Sequence, residues 1–204
     1  MSINIELNVK EINVLVCTNI FKMLERRKLI NSWEKKLEEV KNEINNKASI
    51  DFLLENKTKC SIYIVNAKLT SIVKGTPLDD FLSNNIDIYK FIVIKDCAKK
   101  VVKQIDQDYK NAEFFFEHEM LEDIPLKDFI PEHQVISLEE KKELLTKFNE
   151  HDLPIIFTTD MMSRYYGVKV GDIFRIIRPT LTSGKSVSYR RVQQGSWDIL
   201  FALK

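Results

Sequence analysis

Glycine and proline are scarce in this chain, five of each in 204 residues. That excludes a collagen-like repeat and a disordered linker, and it leaves too few breakers for a propeller. Cysteine is scarcer. Cys17, Cys60 and Cys97 form an odd, scattered set with no paired spacing. Such a set is not a disulfide framework; it suits a reducing compartment and buried small hydrophobes. No apolar run approaches a membrane span. The first residues lack the basic-then-apolar order of a signal peptide. Neither charge sign dominates: Lys and Arg number 31, Asp and Glu 30, for a net charge of +1. A free-standing electrostatic nucleic-acid binder is therefore not expected.

What is present reads as globular. Hydrophobic residues make up 44% and charged residues 30%, enough for one large domain or two modest ones. Lys, Ile and Asn are heavily used, which suggests an A+T-rich genome. Asn8 with Glu11 three residues on predicts a helix start, and the apolar spacing from Val9 to Leu24 carries that helix over 8–29. Trp33, Leu37, Val40 and Ile44 stripe a second helix. Residues 59–69 and 89–94 read as strands, 98–110 as an amphipathic helix and 113–116 as a third strand. The alternation predicts an α/β domain over 1–112.

Glu117, Glu119, Glu122 and Asp123 then cluster, with Pro125 and Pro131 as interruptions, so 113–126 is expected to connect the first domain to a second over 127–204. Ser137 with Glu140 caps a helix, and another short helix, capped by Thr159 or Asp160, stops at Gly167. Residues 172–178 and 186–192 pair as an antiparallel hairpin around Thr182-Ser183-Gly184-Lys185. Residues 1–126 hold 19 basic and 20 acidic side chains, whereas 154–204 hold 8 and 3. The hairpin end is the basic end of a neutral protein.

Most catalytic patterns fail. Gly184-Lys185-Ser186 ends like a phosphate loop, but Pro179 stands where the loop needs a glycine with an amide to donate. His118-Glu119 is half of a zinc helix without its second imidazole, and His133 and His151 have no ligand partner at usable spacing. A magnesium nuclease would place an acid before a strand bearing acid-x-Lys. Asp51 precedes Asn66-Ala67-Lys68, and the amide of Asn66 is a poor magnesium ligand. No catalytic residue, metal or cofactor is assigned. Lys99, Lys100 and Lys103 are candidate DNA-phosphate contacts on one helix. In the C-terminal third, Arg164, Tyr165 and Tyr166 end a short helix, while Arg175, Arg178, Tyr189 and Arg190 line the hairpin. On residue chemistry alone this is either a solvated basic face or a module that docks on a protein partner.

The order of residues over 130–192 decides between these. It runs Ile130-Pro131-Glu132-His133, Ile136-Ser137-x-Glu139-Glu140, Leu153-Pro154-x-Ile156, Arg164-Tyr165-Tyr166-Gly167-x-x-x-Gly171-Asp172, Ile176-Ile177-Arg178, Thr182-Ser183-Gly184 and Ser188-Tyr189-Arg190. This closely resembles the assembly domain of the fifth subunit shared by eukaryotic nuclear RNA polymerases, which has an archaeal counterpart. The resemblance implies a non-catalytic, two-domain polymerase subunit. Its N-terminal α/β domain would be part of the lower jaw beside downstream duplex DNA, a restriction-nuclease-like fold that has lost its active site. Its small α+β assembly domain would dock on the largest polymerase subunit. The partner-binding residues on this reading are Pro131, His133, Arg164, Tyr165, Tyr166, Arg178, Tyr189 and Arg190. The rival readings are a magnesium-dependent nuclease and a stand-alone DNA-binding module.

The chain departs from the family pattern at Met161-Met162, where proline is usual, and at Pro179-Thr180-Leu181. It also runs on through Trp197, Ile199, Leu200, Phe201 and Leu203, read as an extra strand with Trp197, Ile199 and Phe201 on one face, or else as a partner contact. The divergence and residue bias resemble the version in a large cytoplasmic DNA virus similar to African swine fever virus. That would place the protein in the host cytoplasm and the virion. The alternative is a fast-evolving eukaryote, which would place it in the nucleus.

Overall fold

The first helix begins where its cap chemistry predicts. Asn8 accepts the amide of Glu11, and the Glu11 carboxylate accepts the amide of Asn8, so α1 spans Val9–Arg26. The structure is a computed structural model that describes residues 7–84, 87–180 and 184–202, with the side chains of Ile199 and Leu200 left aside. Ser32 caps α2 (Trp33–Val40). The strands β1 (Ser49–Leu53), β2 (Lys59–Leu69), β3 (Tyr89–Cys97) and β4 (Ala112–Phe116) form a sheet in that order. β1 is antiparallel to β2, while β2, β3 and β4 run parallel. Between them lie α3 (Pro77–Ser83), started by the Thr76 side chain with Pro77 at its first position, and α4 (Lys99–Asp108). β3 reads Phe91-Ile92-Val93-Ile94 and is buried on both faces, as a central parallel strand must be.

The chain divides into two compact units between Asp123 and Ile124. This division lies within the stretch 113–126 expected as a connector, whose first residues supply the edge strand β4. Residues 117–123 are also tied to the first unit. Asn19 donates to the Met120 carbonyl at 2.8 Å, and Arg26 grips both carboxylate oxygens of Asp123. The acidic cluster that reads as a solvated tether is thus partly an anchor for α1.

The second unit is built on a sheet in the order β5-β7-β8-β6. β5 (Glu132–Val135) is antiparallel to β7 (Ile173–Thr180), β7 is antiparallel to β8 (Gly184–Gln193), and β6 (Ile155–Phe157) is parallel to β8. Leu144 of α5 (Leu138–Lys147) packs with Ile173 in one cluster. Tyr166 of α6 (Met161–Tyr166) packs with Phe174, Ile176 and Val192 in another. α6 ends at Gly167 with φ 63°, a left-handed stop that a side chain would strain. The expected turn at 182–185 falls on described residues only from Gly184.

One sequence expectation is overturned. Residues 197–202 are not an added strand but a helix, α7 (Trp197–Ala202). The Ser196 hydroxyl accepts the amide of Asp198, and helical spacing brings Trp197 and Phe201, four apart, to one side. Trp197 is buried at 9% exposure. Leu203 lies outside the described residues. Among the described residues no helix is long and apolar enough to cross a membrane.

Candidate functional site

The sheet of the second unit sorts its candidate residues onto two faces. Register places His133, Ile176 and Ser188 in one cross-strand row, with Val135, Phe174 and Arg190 in the row on one side and Arg178 and Ser186 in the row on the other. Side chains two apart on a strand share a face, so these rows line one surface, the one that α6 partly covers. Arg175 and Tyr189 form a row of the opposite face, toward α5. There Arg175 donates to Glu140 at 2.8 Å and lies over the Tyr189 ring. The Glu140 carboxyl is held below its usual range, first by the Ser137 amide and then by Arg175.

Several expected partner contacts are interior. Tyr165 is 1% exposed and belongs to the core, so it cannot offer aromatic area to a partner; Tyr166 packs onto Phe174. Adjacent helical residues face different ways, yet Tyr165 is buried and Tyr166 is packed on the sheet. Arg164 donates to the Thr159 carbonyl and stacks over the Trp197 ring at 5.5 Å. Its planar cation seats α7. His133 is buried, and its Nδ1–H donates to the Pro131 carbonyl at 2.7 Å. Burial lowers its pKa first. The Pro131 bond and Asp160 oppose that, while Arg190 and Arg178 add to it. The ring is therefore neutral near pH 7.

What remains open to a partner is Arg178, which is exposed, and Arg190, which is half-buried. Neither side chain makes an ion pair or hydrogen bond among the described residues. Sequence alternation located both, but not Lys185, which stands opposite Pro179 on the neighbouring strand and lines a depression with Phe129, Ile130, Ile177 and Arg178. Phe129 is 79% exposed and Leu126 71%. Large apolar residues next to prolines were legible as a connector, and only the fold shows them left uncovered.

In the first unit Asp51, Asn66 and Lys68 are not brought together as a magnesium site would need. Asp51 faces Ser61 across β1 and β2 and accepts its hydroxyl hydrogen bond. Asn66 lies five residues further along β2, about 17 Å at strand rise. Lys68 is exposed and pairs with Asp96 at 2.9 Å. Acid, amide and lysine therefore share no site. Among the described residues, no three His, Cys, Asp or Glu side chains gather as a metal site. All three cysteines are buried, and burial pushes the Cys17 and Cys60 thiols up to about 12, which suits packing and not ligation. Lys99, Lys100 and Lys103 lie in the first turns of α4, which lacks a side-chain cap. Lys100 is exposed, while Lys99 and Lys103 already interact within the chain.

Comparison with known proteins agrees with this partition. The family model described as RNA polymerase Rpb5, C-terminal domain, matches residues 123–192. The chain is similar to DNA-directed RNA polymerase subunit 5 of Acanthamoeba polyphaga mimivirus, 33% identical over 140 residues, 68% of this chain and 67% of that protein. It is also similar to the DNA-directed RNA polymerases I, II, and III subunit rpabc1 of Dictyostelium discoideum, 38% identical over 96 residues, 46% of this chain and 49% of that one. The corresponding subunit of Caenorhabditis elegans is 40% identical over 97 residues, 47% and 46% of the two chains. The match thus spans about half the length of the eukaryotic relatives.

Proposed function

This chain belongs to the RNA polymerase Rpb5 family, and we propose that it works as a non-catalytic subunit of a multisubunit DNA-directed RNA polymerase. The observation that carries the reading is the coincidence of the family match with the second folded unit, 123–192 against 124–204. The second unit is the assembly domain that docks on the largest polymerase subunit, with Arg178 and Arg190 as its polar anchors. The first unit is the jaw beside downstream duplex DNA. Two lysines in the first turn of α4 oppose the helix dipole, a placement that suits phosphate oxygens better than it suits the helix alone. The viral relative supports an origin in a large DNA virus, acting in the host cytoplasm and carried in the virion.

The test is co-purification. Tagged full-length chain, expressed with the polymerase from its source, should retain the largest subunit. Recovery of the chain without any polymerase subunit overturns the reading. Magnesium-dependent plasmid cleavage by purified chain, abolished by Lys68→Ala, would return the protein to the nucleases.

A further inference from the structure

We infer that the His133 face of the second sheet binds an acidic segment of the polymerase subunit on which this chain docks, with Arg178 and Arg190 as a two-pronged carboxylate clamp. The inference rests on the docking reading and gives it a place and a chemistry. Arg178 on β7 and Arg190 on β8 stand two rows apart, four residues along the strands, or about 13 Å. His133, Ile176 and Ser188 form the row between them, and Ser186 stands opposite Arg178. The rows carry no acidic residue.

The contrast with other arginines is internal to the molecule. Arg26 and Arg27 grip Asp123 and Glu113, and Arg175 grips Glu140. Arg178 and Arg190 have no such anion among the described residues. A guanidinium stays charged at any working pH, so half-burial of Arg190 costs desolvation that an arriving anion offsets. His133 is neutral and its Nδ1 is engaged, so it adds no third charge. Its titratable and charged neighbours are Asp160, the cap of α6, and the two arginines. Both arginines hold the planar fork that fits a carboxylate in two parallel hydrogen bonds.

A protein segment fits this face better than a nucleic-acid backbone. Val135 lies in the same row as Arg190 and is 42% exposed, while Phe174 and Ile176 of these rows are buried in the chain's own core. Arginine beside apolar area is the composition of a protein interface. Phosphate tracking needs a longer run of cations.

The experiment uses full-length chain with hexaglutamate as the probe and His133 as the reporter. Filling the clamp cancels the push of both arginines, so the His133 titration followed by NMR should move to higher pH as peptide is added. In Arg178→Gln/Arg190→Gln it should sit higher from the start and not move further, while Arg175→Gln should respond like wild type. The double variant should also hold the largest polymerase subunit more weakly, by about tenfold or more, ~1.4 kcal/mol per tenfold. Trp197 fluorescence checks that the variants are folded. A wild-type His133 titration that ignores hexaglutamate overturns the clamp, and so does a double variant that binds the subunit as tightly as wild type. A short DNA duplex that moves His133 at lower concentration than hexaglutamate overturns the acidic-protein assignment. Failure of the wild-type chain to bind the polymerase at all defeats the docking reading, which is a separate result.

Discussion

Arg27 in the first unit and Arg190 in the second are both arginines lying against a sheet, and they are handled oppositely. Arg27 is 7% exposed and makes two 2.7 Å bonds to Glu113 on β4, which also accepts the Tyr89 hydroxyl. Lys90, buried on β3, gives hydrogen bonds to the carbonyls of Leu82 and Asn84. The first unit completes Arg27 and Lys90 from its own residues. The second completes Arg175 with Glu140 but leaves Arg178 and Arg190 unmatched among the described residues. A domain that folds as a finished object matches its buried ions, because an unpaired one costs several kcal/mol. One that leaves cations unmatched on a rigid sheet has a face prepared for something else.

The sharpest way to break this contrast is to delete each arginine. Arg27→Ala strands a carboxylate that is only 20% exposed. A fully buried pair broken this way loses about 3–5 kcal/mol, and the remaining solvent access reduces the expected loss to about 2–3 kcal/mol. Arg190→Gln should change stability by no more than about 0.5 kcal/mol. Urea unfolding measures both, with Trp33 reporting the first unit and Trp197 the second. Equal losses would erase the distinction between the units.

A smaller effect tests whether the C-terminal helix is part of the second unit's own structure. A Cβ at Gly195 would stand 2.4 Å from the Thr159 hydroxyl and 2.8 Å from Phe157 Cβ. Gly195→Ala should therefore cost about 1–3 kcal/mol by overpacking and should shift Trp197 fluorescence. An unchanged urea midpoint would mean that 195–202 is not seated as the structure has it.

The smallest expected effect separates the units by pH. His133 is lowered in the folded chain, so above about 6.5, the unfolded value, both states are neutral and stability is complete. As pH falls through that value the unfolded chain takes up the proton first. Stability of the second unit should then decline until the lower folded pKa is passed. His133→Gln should flatten the decline between neutral and mildly acid pH in urea titrations read at Trp197. A slope of the same size in wild type and variant would remove His133 as its cause.

Much of this was legible beforehand, and what was not shares a cause. The capped helices α1 and α5 began where Asn8 and Ser137 announced them, because a cap is a contact over three residues. β3 was visible as an unbroken apolar run. β1 and β5 were not anticipated, since Ile50 and Phe52, or His133 alone, make too short an alternation to be distinguished from a loop. They are strands because β2 and β7 offer an edge. The helix α7 was misread as a strand because five large apolar residues in seven positions satisfy either period. Burial of Trp197 beneath Arg164 belongs to the fold and not to the period.

The sequence by itself determined which family this chain belongs to, where α1 and α5 start, and that its basic excess sits at the hairpin end. Those properties depend on residue identity and on neighbours a few positions apart. Tertiary structure alone decided that Tyr165 and Arg164 turn inward while Arg178 and Arg190 stay unmatched among the described residues. Whether a side chain meets an anion, an apolar wall or water depends on strands that are distant in sequence, and their register is settled by packing the sheet as a whole.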